Sequence, residues 1–466
     1  MEFPYGKAPL AILLLALFAA LGIALSNGAS GERPTIVFFT FANEHIEVYQ
    51  PIIAEFAKEH HVRVQLEVVG QAALKTRLQS AMQAGAEVPD MVEILDGTLG
   101  TFTGGPLEDV QFVDLTQRID SEGLRNKLVT SRFGKWTSRG HIFALPHDVH
   151  PVMLCYRTDL CQQCGIDVSK LTTWDAFAEA GRRFVTENTR PDGVTTRYMV
   201  DFESDGADHL RLLYLQAGGA FFTPDGHDVA FDNPTAVRVI DWYVRQNDNP
   251  LAAATDPAER TRIAFPCGWG QNLAQAMTDG LCLFYVCPDW RTKSFQQDVP
   301  NLAGKLDVMP LPAWDPGGRR TSTWGGTGLA FTRAGKNFDL CWQLAMKLYY
   351  SEEKLGKRYE GNNILPPLRA AWTQPEFNEP RPFYKNRRLG RAYADLADDV
   401  PPEQSNAFSD LARDKFSEAF INASLHYQAH GSNGLDDVIR SELARCAADV
   451  RAHMDHNRFL AAGVSR

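Results

Sequence analysis

The residues in this chain that could do chemistry fall into three sets. The first is the run Pro146–Pro151, PHDVHP, with His147, Asp148 and His150 inside four positions. Such a set could ligate a metal or pair a base with its orienting group. Two histidines three apart reach one ion from one face only on a helix, and the bracketing prolines argue against a helix there. The second set is the C-x-x-C of Cys161 and Cys164. A zinc site wants a second such pair, and a redox site wants the motif opening a helix, whereas Gly165 follows at once. A local disulfide or free thiols is the expected state. The sequence carries no H-E-x-x-H, G-x-S-x-G or Walker loop, and no carboxylate pair it sets across a scissile bond. No catalytic residue, metal or cofactor is therefore expected.

The third set consists of acids, tryptophans and glycines at predicted strand ends. TIVFFTFA, from Thr35, reads as a strand buried on both faces. The next segment, HIEVYQPIIAEFAKEH, puts Ile46, Tyr49, Ile52 or Ile53, and Phe56 on one helical face; Pro51 fits best if that helix starts near Val48. VRVQLEVV is a second strand. ALKTRLQSAMQAGA is a helix with Leu74, Leu78, Ala81 and Met82 inward, ended by Gly85, and PDMVEILD is a third strand. Strand, helix, strand, helix, strand is a parallel α/β unit whose ligands sit beyond the carboxyl ends of the strands. Phe41, Asn43 and Glu44 follow the first strand, and Asp96 and Gly97 the third. Glu44 also stands in a first helical turn, where the dipole alone favours an acid.

Further along, HIFALP and VMLCYR read as strands, TDLCQQCGID as a turn, and Thr172 or Thr173 as the cap of a helix carrying Asp175 in its first turn. Helices follow at ADHLRLLYLQAGGAFF, after the cap Asp232-Asn233-Pro234, and at QNLAQAMTDG. CLFYVCPDW is a strand emerging at Asp289 and Trp290, LDVMPLP a strand ending in Pro, and Trp324-Gly325-Gly326 opens another strand. Two amphipathic helices, NAFSDLARDKFSEAF and GLDDVIRSELARCAADVRAHM, close the chain. A small-molecule site wants a few placed polar groups beside aromatic rings. Trp290 and Trp324 meet that description, as does Trp269 in PCGWGQ; Gly325 and Gly326 permit close backbone approach. Trp174 and Trp242 fall within helices and are expected in the core.

At 466 residues the chain is too long for one core, so two lobes are expected. Its 44% apolar and 22% charged residues are those of a globular protein, and a net charge of −10 argues against a nucleic-acid partner. The basic run Asn386–Arg391 reads as a solvated face. The first thirty residues have a weakly basic start, an apolar run from Leu10 to Leu25, and small residues in SNGAS. That is the order of a secretory signal, cleaved near Ala29 or kept as an anchor. Export would permit disulfides among the eight cysteines; Cys282 and Cys287 flank LFYV on one strand and cannot bridge each other.

The order G-x-x-x-A-L-P-x-D, apolar strand, Tyr-x-x-x-L, Gly-Ile, Thr-Trp-Asp over Gly140–Phe177 resembles the lobe-crossing segment of extracellular solute-binding proteins. These are the family 1, carbohydrate-type proteins of ABC import systems, such as maltose- and oligosaccharide-binding proteins. Pro89-Asp90 before the third strand, Gly218-Gly219 with its two aromatics, Ala276-Met277, Trp290 and Gly325-Gly326 follow in the family's order. The resemblance implies a type II two-lobed α/β fold, each lobe a mixed, mainly parallel sheet flanked by helices, with a helical C-terminal region. It implies an N-lobe of residues 35–146 plus 310–370 and a C-lobe of 147–305 plus 371–460. Hinges would lie near 145–150, 306–312 and 366–376. The implied ligand is a mono- or oligosaccharide held by Glu44, Asp96, Trp290, Trp324, Gly325 and Gly326, with Asn43, Asp148, Asp289 and Trp269 as further contacts. The implied partner is a membrane permease, and the implied state a monomer in the periplasm or on the outer face of the cytoplasmic membrane. An exported glycan hydrolase and a membrane-tethered sugar sensor subunit are the alternatives.

Overall fold

Apolar runs with β-branched and aromatic residues form the strands, and the capped amphipathic runs between them form the helices. The structure is a computed structural model and describes residues 36–250 and 261–457; the signal or anchor assigned to residues 1–30 lies outside them. From the N-terminal side, β1 (Ile36–Thr40), α1 (Asn43–Glu59), β2 (Val64–Val68), α2 (Gln71–Ala84) and β3 (Met91–Leu95) build the anticipated parallel unit, with β1 between β2 and β3. β4 (Ala144–Pro146) joins the same sheet, and the chain then leaves it.

A second sheet is formed by β5 (Val152–Arg157), β6 (Tyr198–Asp201), β7 (Cys282–Pro288) and β8 (Leu306–Pro310), in the order β8-β5-β7-β6. β9 (Thr327–Phe331) returns to the first sheet, whose order is β2-β1-β3-β9-β4. Both sheets are mixed, but four of the seven pairings are antiparallel rather than mainly parallel. Each antiparallel pairing involves β4, β5, β8 or β9, the strands that carry the chain across between sheets. The longer helices after α2 are α3 (Trp174–Glu187), α4 (Asp208–Gln216), α5 (Pro234–Asn247), α6 (Gln271–Asp279), α7 (Asp289–Asp298), α8 (Phe338–Tyr349) and α9 (Glu352–Asn362). α10 (Ser409–His430) and α11 (Leu435–His456) form the helical C-terminal region. α10 packs on the second lobe, with Phe416 against Tyr214 and Phe420 against Tyr243.

Local signals act as their chemistry dictates. The Thr173 hydroxyl accepts the Ala176 amide, and the Asn233 side chain accepts that of Ala236 with Pro234 in the first turn. Trp174 and Trp242 are buried, ring against ring at 5.2 Å. Four expectations change. α1 begins at Asn43, not near Val48, and holds Pro51 in its interior; Glu47, whose carbonyl loses its amide partner there, is exposed like Pro51 and can turn to water. His45, not Ile46, takes the inward place on that helix. HIFALP divides into a short hairpin strand, His141–Ile142, and β4, while part of the expected turn, Thr158–Gln163, is helical.

Candidate functional site

The crossings between the lobes run side by side and are knitted through Asp148 and Asp289. Asp148 Oδ2 accepts the Thr327 amide at 2.8 Å and faces His147 Nδ1 at 3.3 Å and His150 Nε2 at 3.1 Å. Its Oδ1 lies 3.4 Å from Arg132 Nη2. His150 Nδ1 contacts Asp289 Oδ1 at 2.6 Å, and Asp289 Oδ2 accepts the Leu365 amide at 2.7 Å. The result ties together the segment after β4, the first residue of β9, the first turn of α7 and the chain after α9. Burial opposes a charge on His150, but Asp148 and Asp289 outweigh it and hold the imidazolium up to about 9. His147 has the opposite fate: burial, with the Arg358 guanidinium behind it, pushes it down to about 3.

Beside these crossings lies a cavity of about 670 Å³ between the lobes, within the range of small-molecule sites. The first lobe lines it with Phe41, Glu44 and His45 after β1, Gln71 and Lys75 from α2, and Asp96 after β3. The second contributes Asp208 and Arg211 from α4, Trp269, and Trp290, Lys293 and Gln297 from α7; Arg413 reaches in from α10. Trp324 packs against Trp290 at 5.8 Å and Trp269 at 5.5 Å between ring centroids. The Arg291 guanidinium sits over Trp269 at 4.7 Å and Trp324 at 5.1 Å, bracing the wall from behind.

Beside the aromatic wall, where Lys135 Nζ donates to the carbonyl of Gly325, is an ion cluster built from both lobes. Lys135 Nζ lies 2.8 Å from Asp96 and 3.0 Å from Glu403. Arg211 and Arg413 reach Glu403 at 3.0 and 2.7 Å and Asp96 at 3.7 and 3.8 Å. Burial opposes ionisation of Asp96, yet Lys135, Arg413 and Arg211 hold it down to about 2. Three cations face two carboxylates, so guanidinium donors, more than the Asp96 carboxylate, are left to meet a polar ligand.

Against known proteins, the sequence profile of a family described as bacterial extracellular solute-binding protein matches residues 51–381, more than half of the chain. The chain belongs to that family. An arabinooligosaccharide-binding protein of Halalkalibacterium halodurans is 24% identical over 402 residues, 85% of each chain. Another, from Bacillus subtilis, is 24% identical over 84% of this chain and 88% of its own. Among solved structures, the GacH receptor of Streptomyces glaucescens, studied unliganded and with acarbose, superposes with a TM-score of 0.67 at 16% identity. The match covers 89% of this chain and 98% of the receptor.

In this solute-binding protein, Glu44, Asp96, Trp269, Trp290, Trp324, Gly325 and Gly326 all line the one cavity. Trp269 is 52% exposed and Trp324 only 4%. Gly325 has φ +88°, open to glycine, and its carbonyl accepts Lys135 Nζ at 2.8 Å. Asn43 is exposed and lies outside the cavity lining. Asp148 and Asp289 also lie outside it, 1% and 0% exposed, because every oxygen is committed to the crossing network. Sequence reasoning missed His45, Lys75, Arg211, Lys293, Gln297 and Arg413. Arg211 alone left a usable signal, a charge inside the apolar run LRLLYL; Arg413 reads like any solvated helical charge.

One trio among the described residues could hold a metal ion: His45, Glu93 and His147, with ligand atoms within 4.8 Å of one another. Glu93 sits fully buried in β3 and already accepts Tyr49 and Tyr349 on one oxygen and Thr40 and His45 on the other. Burial disfavours its charge, but His45 and the hydroxyl donors hold it down to about 2. A cation would have to displace donors that already satisfy the carboxylate, so the trio anchors α1 and α8 to the sheet. Among the described residues, His147 Nε2 has no hydrogen-bond partner.

Proposed function

We propose that this solute-binding protein captures a carbohydrate in the interlobe cavity and delivers it to an ABC importer without chemically altering it. The observation that carries the reading is that three packed tryptophans and the cations Arg211 and Arg413 line one cavity of about 670 Å³. Rings meet the C–H faces of a sugar and guanidinium and ammonium donors meet its hydroxyls. The size suits an oligosaccharide, which is also what the named relatives bind. Asp96, held ionised among cations, is unsuited to donate a proton, which supports a binding role over hydrolysis.

The two lobes would be residues 35–146 with 310–370 and residues 147–305 with 371–460, moving about crossings near 145–150, 306–312 and 366–376. A ligand touching both lobes favours the closed state, and a permease can read that state. The protein would act as an exported monomer, in the periplasm or held at the outer face of the cytoplasmic membrane. A thermal-shift screen of arabino-, malto- and galacto-oligosaccharides tests the reading. One class should stabilise the protein by about 2.7 kcal/mol at a hundredfold excess over Kd, with the sugar recovered intact. No shift with any sugar overturns the carbohydrate reading, and recovery of cleaved sugar overturns the non-catalytic one.

A further inference from the structure

The aromatic wall depends on a loop with little stiffness of its own. Trp269 stands between Gly268 and Gly270, both at positive φ (+72° and +59°), where glycine is free and other residues are strained. On its C-terminal side the loop is held by α6. On its N-terminal side the first anchor is Cys267, whose amide donates to Asp201 Oδ1 at 2.9 Å. The Cys267 sulfur lies 3.4 Å from that of Cys282, the first residue of β7. Both sulfurs also lie near the Phe265 carbonyl, at 3.7 and 3.8 Å, and both residues are buried, at 5% and 0% exposure.

We propose that Cys267 and Cys282 form a disulfide in the exported protein, and that this cross-link fixes the loop presenting Trp269 to the cleft. A disulfide has S–S near 2.05 Å, so the sulfurs need close by only about 1.4 Å. That lies within the arc a cysteine sulfur sweeps about χ1. The family is extracellular, a setting in which such bonds form and persist. The oxidant is the exchangeable disulfide of a thiol–disulfide carrier. One cysteine thiolate attacks it and forms a mixed disulfide; the second thiolate displaces the carrier thiol. Two protons and two electrons leave the pair, one S–S bond forms here, and the carrier's S–S becomes two thiols.

Burial, with the Cys267 thiol beside it, pushes the Cys282 thiol well above its ordinary range, so neither attack nor reduction proceeds readily once the lobe has folded. The bond forms during folding and thereafter resists reductants. Cys161 and Cys164 offer a contrast: Cys161 sits in a short helix with its thiol pushed up by burial to about 12, and Cys164 is part-exposed.

The existence of the bond is independent of what the cleft binds; its effect on affinity rests on the carbohydrate reading. The full exported chain, alkylated while denatured without reductant and then digested, should yield one linked peptide containing Cys267 and Cys282, two hydrogens lighter than the separate peptides. Recovery of both cysteines alkylated, or of either joined elsewhere, overturns the proposal. Reduction under denaturant and refolding with reductant kept present, without alkylation, should lower the thermal midpoint, and so should Cys267→Ser. An unchanged midpoint in reduced wild-type protein overturns the role as an anchor even if Cys267→Ser fails to fold. For whichever oligosaccharide stabilises the oxidised protein, reduction should weaken affinity about tenfold, from lost pre-organisation of Trp269. Unchanged affinity overturns the link to the cleft. If no sugar binds the oxidised form, the peptide map still decides the bond and only the carbohydrate reading falls.

Discussion

The crossing segment His147–His150 and the wall formed by Trp269, Trp290 and Trp324 are two regions with opposite relations between appearance and use. The first has the residue types of an active site, yet His147 and Asp148 are 0% and 1% exposed and their groups turn toward the protein itself. The second has residue types that usually fill cores, yet all three rings line the cavity. Titratable groups close together in sequence mark chemistry only when some valence is left over. Here Asp148 accepts from Thr327, Arg132, His147 and His150, and none is left over. The dense charge knits two lobes at their crossing, and the sparse aromatic surface faces the cavity.

Removing Asp148 breaks this comparison most severely. Asp148→Ala leaves the His150 imidazolium and the Arg132 guanidinium buried beside a missing partner. The expected loss is about 3–5 kcal/mol of folding stability, read by chemical denaturation. A loss below about 1 kcal/mol would show that the network is not what holds the crossing.

The two histidines make the same point through pH. His150 is held at about 9 against 6.5 when unfolded, so its contribution is complete below pH 6.5 and disappears as pH rises through 9. His147 is held at about 3, so the unfolded chain takes up a proton that the folded one refuses. Its contribution is complete above pH 6.5 and falls as pH drops toward 3. At about 1.4 kcal/mol per pH unit, the alkaline loss carried by His150 is on the order of 3 kcal/mol. Melting curves across pH 5–10 check it: His150→Asn should flatten the alkaline fall while leaving the acid side. An alkaline fall of equal size in the variant would assign it to other groups.

On the other side of the comparison, Trp269→Ala should leave folding stability within about 0.5 kcal/mol, since the ring is half exposed. It should weaken sugar affinity about tenfold, or ~1.4 kcal/mol. Calorimetric titration beside a denaturation curve separates the two effects. A variant that loses stability but keeps affinity would make the wall structural.

Local physics decided which of these features were legible in the chain. β1 and β3 could be read because buried strands are apolar runs, β2 because its apolar and polar residues alternate on a sheet edge, and Thr173 and Asn233-Pro234 because a cap acts within three residues. That Trp290 and Trp324 line the cavity was legible from their places beside strand ends. What could not be read depends on partners remote in sequence. Glu93 looks like a flaw in MVEIL until Tyr349, 256 positions on, supplies a hydroxyl. The ion cluster draws Asp96, Lys135, Arg211, Glu403 and Arg413 from segments that share no periodicity. Asp148 and Asp289 were read as cleft residues because both follow strand ends, where only the fold tells an inward carboxylate from an outward one.

Glu44 tests the comparison at its finest, because it belongs to neither extreme. It lines the cavity, is exposed, and stands in the first turn of α1, where an acid is favoured whatever the cleft binds. Glu44→Gln removes the charge but keeps an acceptor oxygen of the same reach. From the helix dipole alone it should cost less than about 1 kcal/mol of stability. If the carboxylate also accepts a sugar hydroxyl, affinity should fall about threefold, one net hydrogen bond at the low end of its usual size. Stability and affinity measured on the same preparation separate these roles. A loss of stability alone makes Glu44 a helix-end acid that borders the cleft, and a loss of affinity alone makes it part of the ligand's polar frame.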